Sequence, residues 1–284
     1  MKWSGAGVLA LTVTLSAGCS GQGQGTPTES PGTPTATTGV ATPVKARAIR
    51  NGPRNVNAVA ITLDADYSPS AQAHVASGTY RKQVNQAAID VLTSPNTAAT
   101  IFATGMWATT YGKDLAKLAA NPNFELGNHT WNHDAWTKTC YGLPYVGSDQ
   151  VKRESLQQTN QAITRVTGKP VSFVRMPGLC QNHSDVKLMA TEGLQLVNTD
   201  VSTTDAFATN PSAVAQAMLK QVKPGSILLM HLNGPPNAPV TAGILKVLIP
   251  GLKAKGLTPV TLTTLLKKWG SRSQQSDTRC DTNE

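Results

Sequence analysis

The sequence predicts an α/β fold of about seven parallel strands with helices packed outside them. Two observations carry this. Short apolar runs rich in β-branched residues alternate with helix-period stretches about seven times, which implies parallel pairing through helical crossovers. Hydrophobic residues make up 39% of the 284-residue chain, enough for a sizeable core in a single barrel-like domain. A closed barrel and an open doubly wound sheet both satisfy the alternation.

The elements follow in order. "NAVAITL" (57–63) reads as a buried strand. In "YRKQVNQAAIDVLTS", Val84, Ala87, Ala88, Val91 and Leu92 share one helical face. "AATIFAT" is a second strand, and "KDLAKLAANP" a helix stopped by Pro122. "FELGN" is a short strand. "SDQVKRESLQQTNQAITRVTG" opens on a Ser/Asp cap, runs as a polar amphipathic helix and ends at Gly168. "VSFV", "LQLVN" and "SILLM" are strands, separated by helices at "HSDVKLMATEG" and "NPSAVAQAMLKQV". "TAGILKVLIPGLKAKG" is a helix with a kink expected at Pro250, and "TPVTL" is a last strand before "TTLLKKWG".

The flanks differ in composition. "MKWSGAGVLALTVTLSAGCSG" has an early Lys, an apolar stretch from Val8 to Leu15 and small residues before Cys19, the layout of a secretory signal too short for a membrane span. "LSAGC" resembles a bacterial lipobox, although Ser16 stands where that box usually has Leu. Residues 1–19 are therefore expected to be a signal peptide ending in a lipidated Cys19, with plain cleavage and secretion as the alternative. Residues 20–54 begin as a Thr/Pro/Gly/Ser-rich stretch too polar to offset its ordering entropy, and are expected to form a disordered tether. The domain is expected over 55–270 and a disordered tail over 271–284. The domain is accordingly expected outside the cell, either anchored to the membrane and facing the wall or secreted, and a monomer is the expected state.

The formal net charge of +9 suits polyanionic surroundings such as a cell wall. The basic residues are scattered, with no Lys/Arg run interleaved with aromatics, so nucleic acid is excluded as a partner. Beyond Cys19 the cysteines are Cys140, Cys180 and Cys280, an odd number in a compartment that permits disulfides. Cys140 and Cys180 both follow candidate site loops and are the expected pair. No CxxC spacing indicates a thiolate zinc site.

Ionisable residues fall just after five strands: Asp64 and Asp66 after "AITL", His129 and His133 after "FELGN", Arg175 after "SFV", Asp200 and Asp205 after "LQLVN", and His231 after "SILLM". In parallel α/β folds the loops at that edge converge on one mouth. His129 and His133, four apart, would face one way on a helical turn. With Asp66 or Asp64 they would complete a His2Asp set with an open position, the usual form of catalytic zinc. The other Asp could act as a general base, held ionised and oriented by Arg175.

In order, these stretches resemble the motifs of the polysaccharide deacetylases of carbohydrate esterase family 4, the nodulation-type deacetylase domain. "AITLDADYS" resembles the first motif, usually Thr-Phe-Asp-Asp-Gly-Pro. "TAATIFATGMWATTYG" resembles the strand and turn that follow. "ELGNHTWNH" closely matches the second motif, "FVRMPG" the third, "VNTDVSTTDAF" weakly the fourth and "ILLMH" the fifth. The resemblance covers roughly residues 56–268 and implies a distorted (β/α) barrel. It implies Asp64 as catalytic base, His129 and His133 as metal ligands, and Arg175 as the residue orienting the base. It also implies His231 as general acid, Leu229 in the acetyl-methyl pocket, and Pro177 with the backbone N–H near Gly178 at the oxyanion.

Two departures stand out. The family's metal-binding Asp falls at Ala65, so Asp66 must reach the ion instead, through a shift such as a bulge. The fourth motif aligns on Ser202 to Ala206 and keeps only Asp205, with Asp200 as a substitute partner for His231. The implied activity is hydrolysis of N-acetyl groups on amino sugars of the peptidoglycan or chitin type. The implied cofactor is a divalent cation, zinc first and cobalt or another divalent ion as alternatives. Trp136, Tyr141 and Tyr145 are the candidate sugar-stacking wall. An O-acetyl glycan esterase and an inactive glycan-binding lipoprotein are the competing readings.

Overall fold

The computed structural model describes residues 44–267. The signal segment with Cys19, most of the expected tether, Cys280 and the tail lie outside the described residues.

Eight strands follow one hydrogen-bonded path. In chain order they are β1 (Ala48–Ile49), β2 (Ala58–Ala65), β3 (Ala99–Ala103), β4 (Phe124–Asn128), β5 (Phe173–Val174), β6 (Gln195–Val197), β7 (Val201–Ser202) and β8 (Ile227–His231). Their spatial order is β1-β6-β5-β4-β3-β2-β8-β7, and a ninth strand, β9 (Thr258–Pro259), pairs with the start of β2. Every strand pairing is parallel. All seven expected strands are present; β1 and β7 are additional. Because β1 pairs with β6, the ordered domain begins before residue 55, and the tether boundary expected there is corrected.

β2 lies between β3 and β8, and all eight of its residues are buried. That explains its unbroken apolar run, since a central parallel strand is covered on both faces. β7 ends the path on one side and β6 lies one strand in from the other end, yet only residues 198–200 separate them. Four residues span at most about 14 Å, so the two ends of the sheet must curl towards each other into a distorted barrel. Asp200 fastens this crossing: it accepts from Ile227 N at 2.8 Å, from Ser226 Oγ at 2.9 Å and from Arg54 at 2.7 Å.

Helices cover the outside. They are α1 (Pro69–Ala76), α2 (Gln86–Thr93), α3 (Gly105–Thr110), α4 (Gly112–Ala120), α5 (Asp149–Thr167), α6 (His183–Thr191), α7 (Pro211–Gln221), α8 (Thr241–Ala254) and α9 (Leu262–Lys267). The caps agree with the local sequence. Ser148 starts α5 by accepting from Val151 N, Gly168 ends it with φ 65°, and Asn182 with Asp185 forms a capping box on α6. Pro250 is accommodated inside α8. The main core packs Ile61, Leu63, Ile101 and Met230 of the sheet against Leu92, Trp107, Leu115 and Leu248 of the helices. Among the described residues no helix is long and apolar enough to cross a membrane.

Candidate metal centre and active site

The strand ends bring the predicted residues together. Asp64 lies on β2, in register with Phe102 on β3 and His231 on β8. Strand side chains alternate with period two, so Asp64 points into the mouth, Ala65 points away into the main core, and Asp66 returns to the side of Asp64. No bulge is involved. The Asp66 Oδ1 atom lies 3.2 Å from His129 Nε2 and 3.6 Å from His133 Nε2. One donor atom from each of these three residues falls within 4.8 Å of the others.

The two histidines do not sit on a helical turn, as the i,i+4 spacing suggested. Residues 129–133 form a loop in which Thr130 (φ 64°) and His133 (φ 66°) are left-handed. This brings the ring centroids to 5.1 Å. The loop is tied on several sides. His129 N donates to Ala103 O, Gly105 N and Met106 N at the start of α3 donate to Thr130 O and Trp131 O, and Trp131 N donates to Ser155 Oγ. His129 Nδ1 donates to Arg175 O at 2.9 Å, which presents Nε2 to the centre.

Arg175 is fully buried and ties three strands to the site. Nη1 donates to Asp64 Oδ1 at 2.9 Å and to Thr62 Oγ1 at 2.7 Å, while Nε and Nη2 donate to Val197 O and Asn198 O. Its guanidinium lies 4.3 Å from the Phe102 ring centroid. Gly127 makes room for that ring, since a Cβ there would come within 2.6 Å of Phe102 Cδ1.

His231 Nδ1 donates to Asp205 Oδ1 at 2.8 Å, and its backbone N donates to Asp205 Oδ2 at 2.7 Å. Thr203 and Thr241 each donate a hydroxyl to Asp205, neither of them anticipated from the sequence. Asp200 is not an alternative partner. It binds Ile227 N at the opposite end of β8, four residues before His231, and is committed to the barrel crossing. Leu229 lies two residues before His231 on the same face of β8 and is buried.

The electrostatics follow from these contacts. Burial would raise the Asp66 carboxyl, but the charge of His133, the hydrogen bond from His129 and the charges of His231 and His129 hold it well below the usual carboxylate range. Burial would lower His231, but the hydrogen bond and charge of Asp205, with the charges of Asp66 and Asp64, push it up to about 10. Burial keeps His133 below the ordinary imidazole value, whereas Asp64 and Asp66 outweigh burial and raise His129.

Cys140 and Cys180 are joined by a disulfide. It clamps the 135–146 loop onto Pro177 and Gly178. Gly178 is left-handed (φ 60°), and a Cβ there would meet Cys140 Sγ at 2.7 Å and the Tyr141 ring at 2.8 Å. Tyr141 beside it is 88% exposed. Trp136 is 1% exposed and packs in a core cluster with Leu156 and Met176, under Lys152. It offers no ring face to a sugar, which corrects its place in the stacking wall.

The polysaccharide deacetylase family matches residues 51–197, about half of the chain. The chain belongs to the polysaccharide deacetylase family. It is 26% identical over 179 residues to a peptidoglycan-N-acetylglucosamine deacetylase of Bacillus cereus, an alignment covering 63% of this chain and 62% of that protein. It thus spans less than two thirds of that relative. It is 28% identical over 178 residues to a chitooligosaccharide deacetylase of Sinorhizobium fredii, covering 59% of this chain and 79% of that protein. Among solved structures, a peptidoglycan N-acetylglucosamine deacetylase superposes with a TM-score of 0.66 at 24% identity, covering 78% of this chain and 92% of that one. A family 4 pseudoenzyme from Bacillus anthracis superposes with a TM-score of 0.64 at 22% identity, covering 78% and 69%. These superpositions show the shared (β/α) barrel fold. Members of one fold thus include both a deacetylase and a pseudoenzyme, so activity has to be argued from the site.

Proposed function

We propose that this protein is a metal-dependent hydrolase that removes N-acetyl groups from amino-sugar polysaccharide of the peptidoglycan or chitin class. One observation carries the reading: Asp66 Oδ1 is a buried carboxylate oxygen whose polar neighbours are two imidazole nitrogens, at 3.2 and 3.6 Å. A buried carboxylate oxygen set against two imidazole nitrogens, one donor atom from each lying within 4.8 Å of the others, is the donor set of a bound cation. The donor set of one carboxylate and two imidazoles suits zinc or cobalt. When bound by Asp66, His129 and His133, the ion supplies Lewis acidity, which makes water more acidic and polarises the acetyl carbonyl.

The chain's own groups do the rest. Arg175 occupies Asp64 Oδ1, so Oδ2, 3.7 Å from His129 Nε2, faces the centre as the base that takes a proton from the attacking water. In this reading the Gly178 backbone N–H is the donor that stabilises the oxyanion, and Leu229 gives the acetyl methyl an apolar floor. Asp205 fixes the His231 tautomer, which leaves Nε2, 4.0 Å from Asp66 Oδ2, to deliver a proton to the departing amine. Water and the amide give acetate and a free amino sugar. Tyr141 beside Gly178 offers the exposed ring for a sugar face.

The placement of Asp66 beside His129 and His133 supports the active reading over an inactive binder, since Asp66 offers a carboxylate where Ala65 has none. Purified protein should release acetate from N-acetylglucosamine oligomers faster than from O-acetylated xylan. It should lose that activity to a chelator and regain it with Zn2+ or Co2+. Full activity after exhaustive chelation would remove the cation from the proposal, and preference for O-acetyl groups would make it an esterase. Export and lipid anchoring belong to the same proposal. Cys19→Ala should release the protein from the membrane fraction.

A further inference from the structure

Asp66 is the first residue beyond β2, where the sheet no longer fixes the backbone. The carbonyls of the two residues before it are still held by the neighbouring strands: Leu232 N donates to Asp64 O at 2.7 Å, and Thr104 N donates to Ala65 O at 3.2 Å. At Asp66 no backbone partner takes over. A side-chain amide does. Asp66 N donates to Asn233 Oδ1 at 3.1 Å, and Asn233 Nδ2 donates to Asp66 O at 2.7 Å. A primary amide carries the same acceptor and donor as a peptide group, so Asn233 stands in for one more residue of a neighbouring strand. The two partners also fix which way round the amide lies, since Asp66 N–H needs an oxygen and Asp66 C=O needs an N–H.

The amide is itself locked. Asn233 is 2% exposed, and its Nδ2 also donates to Gln83 Oε1 at 3.3 Å. Gln83, fully buried, accepts a second bond there from Asn237 Nδ2 at 3.1 Å, and its Nε2 donates to Arg81 O at 2.8 Å. Its backbone is pinned by Tyr111 Oη and by Trp107 Nε1, at 3.2 and 2.7 Å. Such a chain of satisfied buried polar groups is stiff. Its free end is the peptide unit whose side chain carries the carboxylate oxygen facing the two imidazoles.

We infer that Asn233, backed by Gln83, is the positioning residue that carries the strand geometry one step past β2 and so delivers the Asp66 carboxylate to the cation. This residue pair is what lets a chain with Ala65 keep a third ligand. The inference rests on the proposed cation site, and the test separates the two.

Zn2+ affinity is measured by calorimetry on metal-free protein, with the visible spectrum of the Co2+ form as a readout of coordination and thermal unfolding of the metal-free protein as a control. Four proteins are compared: wild type, Asp66→Asn, Asn233→Ala and Gln83→Met. Asp66→Asn should abolish tight binding. Asn233→Ala should weaken it about 10- to 100-fold and alter the Co2+ bands, the usual effect of removing a group that orients a ligand. Gln83→Met keeps Asn233 against Asp66 but frees its far side, and should weaken binding by a smaller factor, about 3- to 10-fold. If Asn233→Ala does not fold, Gln83→Met alone decides. Wild-type affinity in whichever of these two variants folds, with Asp66→Asn still defective, overturns the inference and leaves the cation site standing. Absence of binding by the wild type, or undiminished binding by Asp66→Asn, overturns both.

Discussion

At the scale of single residues, the proposed site turns two carboxylates to one side at the end of β2 and gives them different neighbours. Asp64 is charge-paired to Arg175 at 2.9 Å, whereas Asp66 has only imidazoles before it. His231→Asn should therefore leave Zn2+ binding intact and reduce kcat by about 10²- to 10⁴-fold, the span expected for loss of a general acid. Deacetylation kinetics and calorimetry on the same preparation check both halves. Asp205→Asn should bring the His231 titration down from about 10, because burial then acts without its main opponent. A histidine-detected NMR titration of metal-free protein measures it. For Asp66 the sequence expected a bulge to carry the carboxylate past Ala65; none is needed, because side chains 64 and 66 face one way by period-two alternation. Asn233 was not legible. Its function comes from contacts 167 residues away in the chain, and its local pattern is that of any loop Asn.

At the scale of elements, the seven strands announced themselves because buried parallel strands are continuous apolar runs. β1 and β7 did not, because Ala48–Ile49 lies between Arg47 and Arg50, and Val201–Ser202 runs straight into Thr203 and Thr204, so neither stands in an apolar run. α1 has a Ser68 cap and Pro69 at its start but buries none of its residues, so it carries no apolar stripe to read. The histidine loop misled for a different reason. Spacing of four suggests a helix, but convergence here comes from two left-handed residues held by the start of α3. β4 offers a test. Gly127→Ala forces a methyl against the Phe102 ring on which Arg175 lies, so it should cost about 1–3 kcal/mol and lower kcat more than it raises KM. Denaturant unfolding and steady-state kinetics check it.

At the scale of the whole molecule, two cross-links govern response to conditions. The Cys140–Cys180 bridge closes a 40-residue stretch, and its removal by paired Ser substitutions should cost up to about 4 kcal/mol. A lowered Tm that reductant reproduces in the wild type and cannot lower further in the variant is the expected result. The Asp205–His231 pair sets the pH window. His231 is raised, so its contribution is complete below about 6.5 and is lost as pH rises through about 10. Asp205 is lowered, so its contribution is present above about 3.8 and is lost as pH falls through the depressed value. The stability difference between wild type and Asp205→Asn should accordingly be widest between those limits and narrow at both extremes, measured by unfolding from acid to alkaline pH.

The sheet finishes at either rim in a strand of only two residues, β1 on one side and β7 on the other. A rim that short shows a passing chain too few open amides to start a ladder, which guards the fold against self-templated fibre growth.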